Sequence, residues 1–358
     1  MKTWTTALPV LAVIALIFTL GRQPPGIVVV IVALLLAGAV LAAVHHAEVI
    51  AHRVGEPFGS LVLAVAVTVI EVALIVSVML SSGEKGAYLA RDTVFAAVMI
   101  TCNGIVGISL WVTAHRRNLA HFQPGGTGGM LAIVTALVTL TMVLPTFTTT
   151  AAGPRFTTAQ LIFAAVVSCF LYGLHVFTQT VRHRDYFLPI TKEGALLEDD
   201  SHADPPTNGE TLYSLALLMV ALVAVVGLAK VESPVIERGV QALGMPHAVV
   251  GVVIALLVLL PETIAAVRAA RLGRTQTSLN LALGSANASI GLTIPVIALA
   301  SFIVPGDLVL GLGPTQLVLL VLTVAVSTLT IVPGKASVLQ GGVHLAVFAS
   351  FLFLTVIP

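Results

Sequence analysis

The chain has 358 residues, of which 58% are hydrophobic and only 9% charged, and its mean hydropathy is +1.06. Soluble domains carry about 25% charged residues, so a water-soluble fold is excluded. A formal net charge of +1 and a pI near 7.9 leave no basic surplus to neutralise phosphates, which sets nucleic acid aside as a partner and directs the search for a substrate into the bilayer.

A bilayer core takes about 20 apolar residues per helix. Cutting the sequence where Gly, Pro and charge cluster gives eleven such runs. The first, 5–20, is preceded by one Lys and followed by Gly21-Arg22-Gln23-Pro24-Pro25 without a small-residue cleavage pattern, so it reads as a retained helix rather than a signal peptide. The others fall at 26–44, 60–82, 93–114, 129–150, 156–179, 211–229, 247–267, 276–303, 308–332 and 337–357, with a bent region expected around Pro295 and Pro305. The expected fold is therefore an all-α integral membrane protein of about eleven transmembrane helices. Cys102 and Cys169 stand in separate apolar runs with no CxxC and no His/Cys pair at metal spacing, and are read as small buried apolar residues. Trp4 and Trp111 fall near run ends, where indoles anchor at the interface. No resident cofactor is indicated.

Cytoplasmic loops collect Lys and Arg. The N-terminal side holds eleven (Lys2, Arg53, Arg116, Arg117, Arg182, Arg184, Lys192, Arg268, Arg271, Arg274, Lys335) and the opposite side six. The N terminus is thus expected in the cytoplasm and the C terminus outside. One hydrophilic stretch, 182–210, carries Glu193, Glu198, Asp199, Asp200, Asp204 and Glu210 with Pro205-Pro206, and lacks the spacing of an EF-hand loop. It reads as a solvated acidic cytoplasmic linker. The organisation expected is an extra N-terminal helix (1–24), a first half of five helices (25–181), the linker, and a second half of five (211–358). An odd number of helices per half inverts the second half relative to the first, the inverted-repeat architecture of many secondary transporters. Likeness between the halves survives in Thr101-Cys102-Asn103-Gly104-Ile105-Val106-Gly107 and Ser285-Ala286-Asn287-Ala288-Ser289-Ile290-Gly291, which share hydroxyl-x-Asn-x-x-x-Gly, each following a run with a single glutamate.

Of the 33 formally charged side chains, only Glu71 and Glu262 fall inside the runs. An ionisable group there costs at least about 2.5 to 3.5 kcal/mol, so such residues are usually functional. No run contains a Lys or Arg to pair with them, which disfavours a purely structural buried ion pair. Glu71 is at the middle of its run, as is Asn103, and Glu262 follows Pro261, whose missing N–H and ring clash should break the helix and free carbonyls. Two carboxylates, the amide oxygens of Asn103 and Asn287, and the hydroxyls of Thr68, Thr101, Ser285 and Ser289 make an all-oxygen set suited to a hard cation such as Ca2+. The same carboxylates can take up protons instead, so cation and proton compete for one site. The alternative for the two asparagines is hydrogen bonding between helices.

His45, Glu48 and His52 recur at i, i+3 and i+7 and would share a helix face at the cytoplasmic entrance, as a metal or proton-feeding group or as an interfacial polar face. His247 and His344 are read as packed or wetted histidines. No HExxH occurs for an intramembrane metalloprotease, so the chain is not expected to be an enzyme, and paired midplane acids on broken helices suit a carrier better than a channel.

The stretch His45-His46-Ala47-Glu48 through Gly55-Glu56-Pro57-Phe58-Gly59-Ser60, running into Ala66-Val67-Thr68-Val69-Ile70-Glu71-Val72-Ala73-Leu74-Ile75, resembles the first repeat of bacterial calcium/proton antiporters of the ChaA type, in the calcium/cation antiporter superfamily. Leu259-Leu260-Pro261-Glu262 with Leu283-Gly284-Ser285-Ala286-Asn287 resembles the second repeat. The resemblance extends over nearly the whole chain. It implies that each repeat supplies a glutamate and, on the next helix, an Asn, here Glu71 with Asn103 and Glu262 with Asn287, and that Thr68 is the hydroxyl three residues before the first glutamate. The second repeat has Leu259 at the corresponding place. The implied activity is export of Ca2+ against protons across a bacterial inner membrane, with Na+ or K+ as the alternative ion.

Overall fold

The computed structural model describes residues 3–22, 25–55, 65–76, 87–190, 206–302 and 308–358. Within them each of the eleven apolar runs contains a helix. These are α1 (Thr3–Thr19), α2 (Gly26–Val54), α3 (Val65–Val76), α4 (Leu89–Arg117), α5 (Pro124–Phe147) and α6 (Thr158–Arg182). They continue with α7 (Asn208–Ala242), α8 in two pieces (Ala248–Val258 and Leu260–Arg271), α9 (Thr275–Ala300), α10 (Pro314–Ile331) and α11 (Val338–Val356). Eight of them, α2, α4 to α7 and α9 to α11, are long and apolar enough to cross a bilayer. The two pieces of α8 make a ninth if counted as one bent span, and α1 and α3 are shorter apolar helices. The chain is a multi-pass, all-α membrane protein. Two two-residue strands, Ala120–His121 and Lys335–Ala336, pair antiparallel and join the α4–α5 turn to the α10–α11 turn.

Helix starts follow local chemistry. Thr157 with Gln160, Thr207 with Glu210 and Ser337 with Gln340 form capping boxes at α6, α7 and α11, each satisfying two otherwise unpaired backbone donors. The break in α8 falls where Pro261 denies the Leu257 carbonyl its i+4 donor, and the two pieces meet at 54°. Pro295, where a bend was expected, lies inside an uninterrupted α9, and Pro305 is outside the described residues. Also outside them are residues 56–64 and 77–86, around the third run, and 191–205, most of the acidic linker. What the structure does describe of the linker is a turn of 3-10 helix, Arg184–Phe187, and the start of α7.

Two helices outrun their apolar segments. α2 continues to Val54 and α7 spans 35 residues, about 52 Å, well beyond the hydrocarbon core. α4 likewise begins at Leu89, ahead of its run. This enlarges the inventory of acids within helices: Glu48, Asp92, Glu210, Glu232 and Glu237 join Glu71 and Glu262, and Asp92 and Glu232 are buried. Asp92 is paired with Arg91 at 2.7 Å, and Gln316 donates to it at 3.4 Å. Cys102 is buried as expected, but Cys169 lies on the outer surface of α6. Trp4 and Trp111 are 40% and 42% exposed, as anchors require.

The buried apolar residues fall into two clusters. One is built from α4, α5, α9, α10 and α11, the other from α1, α2 and α7. α3 and α8 contribute to both: Ile75, Val252, Ala255 and Leu259 to the first, and Ile70, Leu74, Val250, Ile254 and Val258 to the second. The helices that carry the two glutamates thus form the seam. Across the bundle α11 packs on α4 and α6 packs on α9. The two glycines of the matched segments stand at these contacts. A Cβ on Gly107 would come to 3.0 Å from His344 Cβ, and one on Gly291 to 2.7 Å from Tyr172 Cβ, so a side chain at either place would push the helices apart or force the neighbour to shift.

Candidate functional site

α3 and α8 bring Glu71 and Glu262 to one cavity of about 160 Å3. Thr68 and Glu71, three residues apart, share a face of α3, and the second piece of α8 places Glu262 in its first turn beside the break. α9 forms the opposite wall with Gly284, Ser285, Ala288 and Ser289, a stripe at the i, i+1, i+4, i+5 spacing of one helical face. Ser289 Oγ donates to Glu71 Oε1 at 2.6 Å. Glu262 Oε2 is buried and has no hydrogen-bond partner among the described residues. Among the described residues no Lys or Arg lines the cavity. A desolvated carboxylate oxygen without a donor needs a proton or a cation, and hydroxyl oxygens stand ready to complete a shell. Among the described residues no three His, Cys, Asp or Glu are arranged as a preformed metal cluster.

The structure does not bring Asn103, Asn287 or Thr101 to this cavity. Asn287 is two residues from both Ser285 and Ser289, which at about 100° per residue turns it roughly 200° from the polar stripe. Its Nδ2 donates instead to the Met130 carbonyl of α5 at 3.3 Å. Asn103 lies in a π-helical turn of α4, Ile100–Ile105, and its Nδ2 donates to Thr323 Oγ1 of α10 at 2.9 Å. His344 of α11 donates through Nδ1 to Asn103 Oδ1 at 3.2 Å and accepts from Thr330 Oγ1 through Nε2 at 3.2 Å. Thr101 Oγ1 donates to the Ala97 carbonyl of its own helix at 2.7 Å. Asn103 and Asn287 thus link helices, the alternative that asparagines in membranes commonly satisfy.

The proposed entrance group, His45, Glu48 and His52, lies on the uninterrupted α2. His45 packs against Trp4 of α1 with ring centroids 6.1 Å apart, while Glu48 and His52 are exposed. Glu48 remains within electrostatic reach of Arg268 and Glu262. His247 is half-buried with Nε2 unpartnered among the described residues.

Sequence reasoning passed over α6. Tyr172, His175 and Gln179 line the cavity at i, i+3 and i+7, joined by Asn280 of α9, and the cavity extends toward the end of the bundle where α6 finishes and α9 begins. That spacing was readable as one helix face, but one face of a largely apolar run gives no hint of which neighbour it meets.

The sequence matches the family described as sodium/calcium exchanger protein over residues 25–181 and 213–357. It is 47% identical to the candidate ionic transporter y4hA of Sinorhizobium fredii, over 99% of this chain and 96% of that one. It is 32% identical to the sodium-potassium/proton antiporter ChaA of Escherichia coli, over 98% of this chain and 95% of that one. Among solved structures, native YfkE superposes with a TM-score of 0.71 at 17% identity, covering 99% of both chains. YfkE is named elsewhere among these structures as a Ca2+/H+ antiporter. With two stretches matched across most of its length and a named antiporter related end to end, the chain belongs to the sodium/calcium exchanger family, within the calcium/cation antiporter superfamily.

Proposed function

We propose that the chain is a secondary antiporter that exports Ca2+ in exchange for protons, by alternating access at the cavity holding Glu71 and Glu262. The observation that carries this reading is that Glu71 and Glu262 line one small cavity, with Ser289 donating to Glu71 and, among the described residues, no Lys or Arg in its wall. Two carboxylates balance a divalent cation, and Thr68, Ser285 and Ser289 add oxygens. When protons replace the cation the same oxygens become neutral, so a proton gradient of inward direction drives the cation out. Asn103, Asn287 and Thr101 serve the surrounding helices rather than the ion.

The scaffold is read as one extra helix followed by two inverted halves of five, eleven crossings in all, with the N terminus in the cytoplasm of a bacterium and the C terminus outside its inner membrane. The reciprocal packing of α11 on α4 and α6 on α9, each at a matched glycine, supports the inversion. In that orientation the cavity extends toward the cytoplasm.

A second reading, Na+ or K+ exchange for protons, is favoured by the name of the ChaA relative. One of two carboxylates that stays protonated leaves a single charge for a monovalent ion. Dissipation of a preformed pH gradient in proteoliposomes by Ca2+, Na+, K+ or Mg2+ decides between them. A Ca2+ response that disappears in Glu71→Gln is the expected result. A response to Na+ or K+ alone moves the ion, and exchange undiminished in Glu71→Gln refutes the site.

A further inference from the structure

α1 packs on α2 and α7, and among the described residues none of its side chains lines the glutamate cavity. Four contacts define its seat. On α2, His46 meets Thr5 and Gly38 lies under Leu8, so α1 and α2 run antiparallel. On α7, Tyr213 Oη donates to Thr6 Oγ1 at 3.2 Å and Gly227 lies under Leu16, so α1 and α7 run parallel. A Cβ on Gly38 would come to 3.0 Å from Leu8 Cδ1, and one on Gly227 would run into Leu16 Cδ2, so both leucines fill space that the glycines leave open. α1 thus lies in a groove between α2 and α7.

Pro9 lies inside α1 and is buried. It has no N–H, so it denies the Thr5 carbonyl the i+4 donor of a regular helix. A bilayer offers no water in exchange, and proline within a membrane helix is tolerated where a neighbouring helix satisfies the freed group. α2 does so with His46, whose ring nitrogen Nε2 lies 2.9 Å from the Thr5 carbonyl oxygen. A carbonyl only accepts, so Nε2 carries the proton and donates, and the tautomer of the neutral ring is thereby set. Thr5 and His46 are both 0% exposed. His46 stands beside Ala43 and Ala47 in the apolar cluster of α1, α2 and α7, where an aliphatic side chain would avoid the cost of burying a polar ring. Its Nδ1 is unpartnered among the described residues, so the hydrogen bonding of the ring rests on Nε2.

We propose that Pro9 and His46 are a matched pair that keys α1 to the groove of α2 and α7. The proline opens one carbonyl on the face of α1, and the imidazole of α2 recognises it. With every carbonyl bonded along its own axis, α1 would be an apolar rod held by packing, which is non-directional and resists sliding or rotation weakly. One directional hydrogen bond in that core selects a single register, and Leu8 over Gly38 and Leu16 over Gly227 then fall into place. α1 is on this account a fitted part of the transporter and not a plain membrane anchor, whichever ion the cavity takes.

Thermal unfolding of the detergent-solubilised full chain tests the pair as a cycle of four proteins: wild type, His46→Leu, Pro9→Ala and the double variant. His46→Leu leaves the Thr5 carbonyl without its donor and is expected to lower the apparent Tm by about 2 °C or more. Pro9→Ala gives that carbonyl an N–H from its own helix. In the Pro9→Ala background the same His46→Leu change is therefore expected to cost much less. If His46→Leu alone yields no monodisperse protein, the double variant is expected to recover it. A Tm loss of equal size whether residue 9 is Pro or Ala would overturn the proposal, because it would mark His46 as packing alone. An unchanged Tm in His46→Leu would overturn it too, as would a double variant that recovers nothing when the single variant fails to fold.

Discussion

Around residues 285–291, α6 and α9 leave room for a cavity, whereas around 101–107, α4, α10 and α11 close on a chain of hydrogen bonds from Thr323 through Asn103 and His344 to Thr330. The two segments share their sequence pattern, and each has its glycine pressed against the last helix of the other half. The difference lies in the partners. Asn103 bonds the side chains of Thr323 and His344, but Asn287 Nδ2 finds only a backbone carbonyl, and its Oδ1 is unpartnered among the described residues. One segment is therefore tied into a chain of side-chain hydrogen bonds across three helices, while the other borders the cavity with its asparagine held to a backbone carbonyl.

The comparison can be broken first on the open side. A Cβ on Gly284 meets nothing within 4 Å, although the residue lines the cavity, so Gly284→Phe is expected to fill the lumen and abolish ion exchange in proteoliposomes while the protein stays monodisperse. On the sealed side His344→Leu strands Asn103 Oδ1 and the Thr330 hydroxyl, and should lower stability by about 1–3 kcal/mol per unsatisfied group in thermal unfolding of the detergent-solubilised protein. Gly291→Ala sharpens the packing argument. Its methyl meets Tyr172, with an expected cost of about 1–3 kcal/mol, while Gly129→Ala on α5 meets nothing and should gain about 0.5–1 kcal/mol. The smallest effect belongs to Thr101→Val. Its hydroxyl bonds carbonyls of its own helix, so exchange rates should stay near wild type; a large loss would return Thr101 to the ion site.

Much of the fold was legible because hydropathy and length decide what can cross a bilayer, and all eleven runs contain helices. Glu71 and Glu262 were legible for the same reason: a charge in an apolar run has few explanations. The site's amide and hydroxyl residues were legible only in part. Ser285 and Ser289 share a face and Asn287 does not, a phase that helical periodicity contains but that a list of oxygen donors ignores. Tyr172, His175 and Gln179 could not be placed, because a helix face names no partner until its neighbours are known. The lengths of α2 and α7 escaped because apolarity ends before the helix does; Thr207, with Glu210, starts α7 ahead of the apolar stretch. The α8 break was visible in Pro261, whereas Pro295 carries the same residue type without consequence for α9.

The short strand pair Ala120–His121 with Lys335–Ala336 is reinforced by the Phe122 amide, which donates to the Gly334 carbonyl at 3.1 Å. Nearby, Arg117 Nη2 donates to the Leu272 carbonyl at 3.0 Å and Thr113 Oγ1 to that of Ala270 at 3.2 Å. These links work as a buckle, fastening the turns after α4, α8 and α10 at one end of the bundle. The ends of α4, α8 and α10 are thereby bound to shift together, so loosening any one of these links is felt at all three turns.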